Sequence, residues 1–266
     1  MSPHVASFFH PHSNTFSYVV HDPATRKAAV IDPVLDYDPD TDAVGSGALQ
    51  PLLAHVRELA LEVRWLLETH AHADHVSAGR WLKQQWPQAT LAMGDGIVEV
   101  QRTFAPRYGL DVPTDGSQFD HLFADGERFD VGAIAAEVIA VPGHTSDSVA
   151  YRIGDALFTG DSLFMPDGGT ARCDFPGGDA ALLYRSIQRL LALPDATRVF
   201  ICHDYGPGGR EVANETTIGE QRAHNIHLHD GVSEAAFVAT RQARDATLAE
   251  PKLMHPSVKA NIQGGA

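Results

Sequence analysis

The chain has 266 residues, of which 44% are hydrophobic and 20% are charged, values that are ordinary for a soluble globular protein. Its formal net charge of -14 disfavours nucleic acids and anionic membranes as partners, because an acidic surface repels phosphate. No apolar run is long enough to span a bilayer, and residues 1–16 lack the basic start and apolar run of a signal peptide.

Strand-like and helix-like segments alternate along the chain. Residues 15–32 predict a hairpin around a turn at 22–25, and residues 46–62 have the apolar spacing of a helix. From residue 210 onward the pattern is helical. The segments between are predicted as strand 63–70, helix 76–86, strand 89–94, helix 97–104, strands 133–145 and 148–164, helix 177–193 and strand 197–206. This order predicts sheets packed on each other with helices outside.

Side chains that bind metals recur where the strand-like runs end. They are His70, His72, Asp74 and His75 in THAHADH, His144 in PGHT, Asp161 in TGD and His203 in CHDY. Because side-chain direction repeats every two residues in a strand, residues 70 and 72 point the same way. The chain then turns, so residues 74 and 75 can face the same space from another side. One loop therefore offers donors to two neighbouring metal positions.

The donor types indicate the kind of site. Imidazole and carboxylate together suit zinc, iron or manganese, and the lack of thiolates argues against a structural zinc finger. A closed structural site needs only four donors, whereas seven are available here, which favours an open catalytic site. Any one of these histidines alone would more often be structural or solvated, so the prediction depends on the whole series.

The series THxHxDH, PGHT, TGD and CHDY resembles the motifs of the metallo-β-lactamase superfamily, from about Val5 to about Asn225. The resemblance implies an α/β fold, a four-layer αβ/βα sandwich with the metal centre at one edge of the packed sheets. It also implies a catalytic domain over residues 1–210, with residues 211–266 as a C-terminal helical extension packed on the same domain. The superfamily contains hydrolases, oxidoreductases and nucleases, so the fold alone does not set the chemistry.

One branch that the chain resembles is the persulfide dioxygenases, which oxidise glutathione persulfide to sulfite and glutathione with one ferrous iron and O2. The resemblance implies that His70, His144 and Asp161 bind the iron. Two histidines and one carboxylate leave three positions for a persulfide sulfur, O2 and water. The other donors would orient ligands and hold water by hydrogen bonds. They are His72, Asp74, His75 and His203.

The alternative is glyoxalase II, a binuclear zinc hydrolase in which a bridging hydroxide attacks glutathione thioesters. Two Zn(II) ions per chain would use all seven donors. One ion would be bound by His70, His72 and His144, the other by Asp74, His75 and His203, with Asp161 bridging both. Both families keep all seven residues, so the donors alone do not separate them.

Neighbouring segments favour the dioxygenase. An Arg-x-Asp-Phe segment at residues 172–175 stands where glyoxalase II usually has a CGRFFEG-like stretch, and Asp204 stands where it has glutamate. Residues 215–228 resemble a segment of bacterial persulfide dioxygenases and of their β-lactamase hydrolase-like relatives. One departure is Cys173, where well-studied dioxygenases have threonine, so the substrate range need not be identical.

Three residues are expected to contact substrate. Arg172 is expected to clamp a glutathione carboxylate through two hydrogen bonds, with a structural pair to Asp174 as the alternative. Tyr205 is expected to donate its hydroxyl to substrate and is counted as catalytic with the three iron ligands; the alternative is an aromatic wedge. Cys173 is expected near the pocket, either as a small packing residue or with a redox role.

The prediction is an enzyme with one Fe(II) per chain that acts on a small thiol or persulfide with O2. A metal-binding sensor without turnover is a third possibility. Two cysteines are too few for a disulfide framework, so we expect a reducing, cytoplasmic location. A homodimer is implied by the family alone.

The residues outside the predicted site are expected to have no role in it. We expect four of them at the surface, namely Arg222, His224, His227 and His229. The other histidines match no ligand position, namely His4, His10, His12, His21, His55, His121 and His255.

Overall fold

The computed structural model describes residues 2–266, which form strands β1 to β15 and helices α1 to α7. In the first half these are β1 His4–His10, β2 Thr15–His21, β3 Lys27–Ile31, β4 Val34–Asp38, β5 Ala43–Gly45, α1 Gln50–Glu58, β6 Glu62–Leu67, β7 Val76–Ser77, α2 Gly79–Gln85, β8 Thr90–Gly94, α3 Ile97–Arg107 and β9 His121–Phe123. In the second half they are β10 Arg128–Val131, β11 Ile134–Ala140, β12 Val149–Ile153, β13 Ala156–Phe158, α4 Ala180–Leu191, β14 Arg198–Phe200, β15 Glu215–Thr217, α5 Ile218–His224, α6 Glu234–Asp245 and α7 Met254–Asn261.

Two six-stranded sheets form the centre of the molecule. The first has the order β1-β2-β3-β6-β8-β9, antiparallel up to β3 and parallel beyond it. The second has the order β10-β11-β12-β13-β14-β15 and is antiparallel except for the pair β13 and β14. The hairpin predicted at 15–32 is β2 and β3, whose turn is closed by hydrogen bonds to the Asp22 carboxylate.

Three layers of buried apolar side chains hold the two sheets and the helices together. Between the sheets lie mainly aromatic and branched side chains, including Tyr18, Phe123, Phe158 and Phe200. Helices α1, α2, α3 and α7 cover the outer face of the first sheet, and α4, α5 and α6 cover that of the second. Each sheet thus buries both faces, one against the other sheet and one against helices. The predicted αβ/βα four-layer sandwich is confirmed.

The helical pattern predicted from residue 210 is wrong for residues 210–217. Residues 215–217 form β15, which pairs antiparallel with β14 at the edge of the second sheet. The helix begins only after Thr217, whose hydroxyl accepts from the backbone N–H of Glu220 while the Glu220 carboxylate accepts from the backbone N–H of Thr217. This capping box marks a helix start, and the threonines before it favour a strand.

The segment 211–266 contributes to both helix layers. Helix α6 packs on α4 over the second sheet, whereas α7 packs beside α3 and β7 over the first. The domain boundary at residue 210 stays a prediction. None of the helices in residues 2–266 combines the length and apolar character that a membrane crossing requires.

Candidate metal centre

The seven predicted donors lie together at one edge of the two sheets. The segment at residues 69–77, a loop that ends in the short strand β7 and is called the metal loop below, follows β6 of the first sheet and contains four of them. His144, Asp161 and His203 follow β11, β13 and β14 of the second sheet. Asp74 is half-buried, and the other six donors are at most 7% exposed. Strand ends from both sheets therefore bring residues 133 positions apart in the chain into one buried cluster.

Three of these donors form a first group. The Asp161 carboxylate lies 3.9 Å from His70 Nε2 and 3.5 Å from His144 Nε2, measured to Oδ2. One donor atom from each of the three residues lies within 4.8 Å of the others. Two imidazoles and one carboxylate at this spacing can bind one metal ion on a single face and leave its other positions open.

The remaining four donors form a second group beside the first, again with donor atoms within 4.8 Å of one another. They are His72, Asp74, His75 and His203, so His72 lies with this group and not with His70 and His144, as the binuclear alternative had assigned it. His203 Nε2 lies 3.3 Å from Asp161 Oδ1 and 3.4 Å from Asp74 Oδ2. Asp161 thus presents one oxygen to each group, as a bridging ligand would.

Hydrogen bonds to the far side of the rings define which nitrogen is free to bind a metal. His144 Nδ1 lies 2.7 Å from the carbonyl oxygen of Arg172, and His203 Nδ1 lies 3.3 Å from that of Asn14. A carbonyl only accepts hydrogen bonds, so each Nδ1 carries a proton, and in the neutral ring Nε2 keeps the lone pair. Outer partners of this kind are typical of metal-binding histidines.

The chemistry of the cluster fits a metal. Within residues 2–266, five buried donor atoms of the cluster have no hydrogen-bond partner: His70 Nε2, His72 Nδ1, His75 Nε2, Asp161 Oδ1 and His203 Nε2. An unpartnered buried polar atom costs about 1–3 kcal/mol, so five in one place need another interaction. Burial lowers the pKa of His70 and of His72 and raises the pKa of Asp161. Neutral imidazoles are the form that binds metals, and a cation favours the carboxylate.

Two aspartates that hold the metal loop belong to none of the predicted motifs. Asp32 accepts from the backbone N–H and the hydroxyl of Thr69, at 2.7 and 2.9 Å, and lies 3.1 Å from His72 Nε2. Asp147 accepts from the backbone N–H of Ala71 at 2.8 Å. Asp32 comes directly after the apolar strand β3, and the predicted donors also follow strand-like runs. A search for acidic residues and histidines after such runs would therefore have found Asp32. Burial raises the pKa of Asp32 to about 6.

Replacing Asp32 by alanine is expected to weaken metal binding by about 10–100-fold, because His72 and Thr69 lose the carboxylate that orients them. The measurement is the Zn(II) dissociation constant by competition with a chelator. Asp22→Ala is the matched control, since Asp22 is equally buried but closes the turn between β2 and β3. Equal losses of zinc affinity in both variants would contradict the assignment.

The guanidinium of Arg172 pairs with Asp174 through two hydrogen bonds of 2.6 and 2.7 Å and donates to the Ala249 carbonyl at 2.7 Å. It also lies over the Phe175 ring. The structural pair considered from the sequence is therefore present. Of the five N–H groups of an arginine, two remain without a partner in residues 2–266. Contact of Arg172 with substrate stays a prediction.

Tyr205 and Cys173 lie in contrasting surroundings. Tyr205 is 62% exposed, with its ring stacked 6.2 Å from that of His203, so it lies at the mouth of the cluster. Cys173 is buried in the apolar layer beneath α4 and α6, and burial raises the pKa of its thiol to about 12. A neutral thiol is a poor nucleophile, so its surroundings favour the packing role over the redox role.

His227 was expected at the surface, and this prediction is wrong. The residue is 8% exposed, and its Nδ1 accepts from the backbone N–H of Thr170 at 3.0 Å. Burial lowers its pKa to about 4, so the ring is a neutral acceptor that holds the segment before Arg172. Arg222 does lie at the surface, where it pairs with Asp195 and Asp230.

The chain is similar to one family model and to several known proteins. A family model described as the metallo-beta-lactamase superfamily matches residues 11–203. A beta-lactamase hydrolase-like protein of Xylella fastidiosa is 49% identical over 265 residues, which cover 99% of this chain and 61% of that protein. Glyoxylase B2 of Dictyostelium discoideum is 45% identical over 256 residues, covering 95% and 88% of the two chains.

More distant relatives carry another activity in their names. The mitochondrial persulfide dioxygenase ETHE1 of Bos taurus is 30% identical over 260 residues, covering 97% of this chain and 87% of that one. The crystal structure of ETHE1 from Myxococcus xanthus is 32% identical, with a TM-score of 0.79 over 99% of this chain and 100% of that chain. Motifs, fold and relatives agree, and the chain belongs to the metallo-β-lactamase superfamily.

Proposed function

We propose that this chain is an iron-dependent persulfide dioxygenase that oxidises glutathione persulfide, or a related small persulfide, to sulfite and a thiol. The observation that carries the proposal is the buried group of His70, His144 and Asp161, whose donor atoms lie within 4.8 Å of one another. Two histidines and one carboxylate are the set that non-haem iron oxygenases use. The persulfide dioxygenase relatives and the ETHE1 structure support the same activity.

The proposed reaction is RSSH + O2 + H2O → RSH + SO3²⁻ + 2H⁺. The outer sulfur loses four electrons and O2 gains them, so no further oxidant or reductant is needed. The sulfur–sulfur bond breaks, the inner sulfur leaves as the thiol, and two protons are released. Bound Fe(II) would offer positions for the persulfide sulfur and for O2 and mediate electron transfer between them.

The chain's own residues would hold the geometry. His144 is fixed by its hydrogen bond to the Arg172 carbonyl, so its Nε2 keeps one direction. His203 and Asp74 lie beside Asp161 and can hold water and protons next to the reacting atoms. The two free N–H groups of Arg172 suit a glutathione carboxylate. Tyr205, at the mouth, can donate its hydroxyl to a substrate that enters there.

A binuclear zinc thioester hydrolase is the second candidate, and a specific observation favours it. In the second group, the buried nitrogens of His72, His75 and His203 are without hydrogen-bond partners, so each can bind a second metal. The name of the glyoxylase B2 relative, at 45% identity, points the same way. This reaction would be RS–CO–R′ + H2O → RSH + R′COO⁻ + H⁺, with no change in oxidation state.

Metal analysis combined with O2 uptake separates the two candidates. The protein is purified anaerobically, its iron and zinc are counted per chain, and glutathione persulfide and lactoylglutathione are each offered as substrate. The dioxygenase predicts one iron per chain and one sulfite formed per O2 consumed. Two zinc ions per chain, no O2 uptake and hydrolysis of lactoylglutathione would overturn the proposal in favour of the hydrolase. Metal-loaded protein that turns over neither substrate would point to a sensor.

A further inference from the structure

The side chain of Asn261, the last residue of α7, reaches into the metal loop. It is 4% exposed. Its Nδ2 donates to the carbonyl oxygens of His72 and His75, both at 2.8 Å, and its Oδ1 accepts from the backbone N–H of Ser77 at 2.8 Å. One side chain from the C-terminal helix therefore holds three backbone groups of the loop that carries four of the seven donors.

A carboxamide suits this position for a chemical reason. It has two N–H donors and one acceptor oxygen, and all three functions are used here. Buried backbone carbonyls and N–H groups require partners, and the metal loop lies outside the strand ladders except at β7. Aspartate would retain the acceptor oxygen, but its second carboxylate oxygen would face the two carbonyl oxygens, to which it cannot donate. Leucine has a similar shape and would leave all three backbone groups unpaired.

The C-terminal end of helix α7 is itself held by contacts with other segments, so the Asn261 carboxamide is fixed in position. The backbone carbonyl of Ile262 accepts from Gln101 Nε2 at 2.8 Å, and that of Gly264 accepts from the backbone N–H of Arg80 at 2.8 Å. Gly265 lies so close that a Cβ there would be 2.4 Å from the carbonyl oxygen of Ser77. The chain from 261 to 265 thus packs tightly against the end of the metal loop.

We propose that Asn261 is a positioning residue for the metal centre, and that metal binding and the docking of α7 are thermodynamically coupled. Docked α7 holds the backbone at residues 72 and 75, so that both imidazoles remain at the cluster. By reciprocity, a metal ion that fixes this loop stabilises the docked helix by the same free energy. The inference rests on the metal-binding part of the proposed function and is independent of the choice between iron oxidation and zinc hydrolysis.

The test compares Asn261→Leu and Asn261→Asp with Ser257→Ala. Ser257 is a matched control because it is buried on the same helix and its hydroxyl has no partner in residues 2–266. Zn(II) and Fe(II) dissociation constants are measured by chelator competition. We expect both Asn261 variants to bind each ion about 10–100-fold more weakly than the wild type, as for other residues that orient ligands. Ser257→Ala should bind both ions within twofold of the wild type.

A second readout distinguishes positioning from general destabilisation. Hydrogen exchange of residues 254–266 is followed in the full chain with and without Zn(II). In the wild type, zinc should slow exchange in α7, and in Asn261→Leu this protection should be lost. If Asn261 only stabilised the fold, Asn261→Leu would lower the Tm of the metal-free and of the zinc-bound protein equally. Zinc would then raise the Tm of the variant as much as that of the wild type, and this result would overturn the proposal.

The wild-type measurement also guards against a variant that does not fold. If zinc leaves exchange in α7 unchanged in the wild type, the coupling is disproved without any substitution. These readouts do not involve turnover. Loss of the coupling and failure of O2 uptake on persulfide are therefore distinguishable results, since the first concerns metal retention and the second the reaction.

Discussion

Replacing Asp161 by asparagine is expected to reduce kcat/KM for the proposed persulfide oxidation by more than about 100-fold, the upper range for partners that only orient a ligand. Asp161 is the one donor that faces both groups, with its oxygens 3.5 Å from His144 Nε2 and 3.3 Å from His203 Nε2. Asparagine keeps the shape and removes the charge that a cation needs. Metal content should fall together with O2 uptake.

The same substitution should leave the metal-free fold intact. Burial raises the pKa of Asp161, which means that the protein disfavours an uncompensated carboxylate at this position. Asparagine removes that penalty, so the free energy of unfolding of the metal-free variant should equal or exceed that of the metal-free wild type. Asp167→Asn is a suitable control, because Asp167 lies near the surface and pairs with Arg210. A variant at 161 with full iron and unchanged turnover would contradict the assigned ligand set.

The largest effect on stability is expected for Phe158→Ala, at about 3–5 kcal/mol. Phe158 is 1% exposed in the layer between the two sheets. Its ring stacks 5.0 Å from that of Phe200 and meets that of Tyr18 edge-on at 5.2 Å. The substitution removes apolar contacts on both sheets and leaves a cavity that neither sheet can close, because each is held by its own helix layer.

The free energy of unfolding is measured by urea denaturation of the metal-free protein. The free energy of unfolding of a folded protein is typically only about 5–15 kcal/mol, so a loss of this size would be readily measured. Val44→Ala is the control, since Val44 is 48% exposed and surface substitutions change stability by about 0.5 kcal/mol or less. A loss of under about 1 kcal/mol at Phe158 would mean that the two sheets are less firmly packed than described.

Local chemistry explains why the donor series and most elements are predictable. A strand that ends in a histidine or aspartate is visible as an apolar run followed by a polar residue, and this holds at β6, β13 and β14. Helix α4 is visible from its apolar spacing and from Asp179, whose side chain caps it by accepting from the Leu182 N–H. These signals lie within a few residues of the features they mark.

The predictions fail where the partner is remote in the chain. Strand β15 has no strong apolar alternation and exists because β14 offers it an edge. His227 looks like a surface residue until Thr170, 57 residues earlier, donates to it. Asn261 is an ordinary helix residue in the sequence, and its role depends on carbonyls 186 and 189 residues away. Periodicity and motif spacing contain no information on such pairings.

The sequence by itself determined the superfamily, the sandwich of two sheets and the set of seven candidate donors, because these residues lie in short motifs at strand ends. Only the tertiary structure decided how the donors divide into two groups around Asp161 and which residues orient them. The reason is physical: the free nitrogen of each ring depends on an acceptor placed by another part of the fold. For His144 that acceptor is the carbonyl of Arg172, and for His72 it is the carboxylate of Asp32.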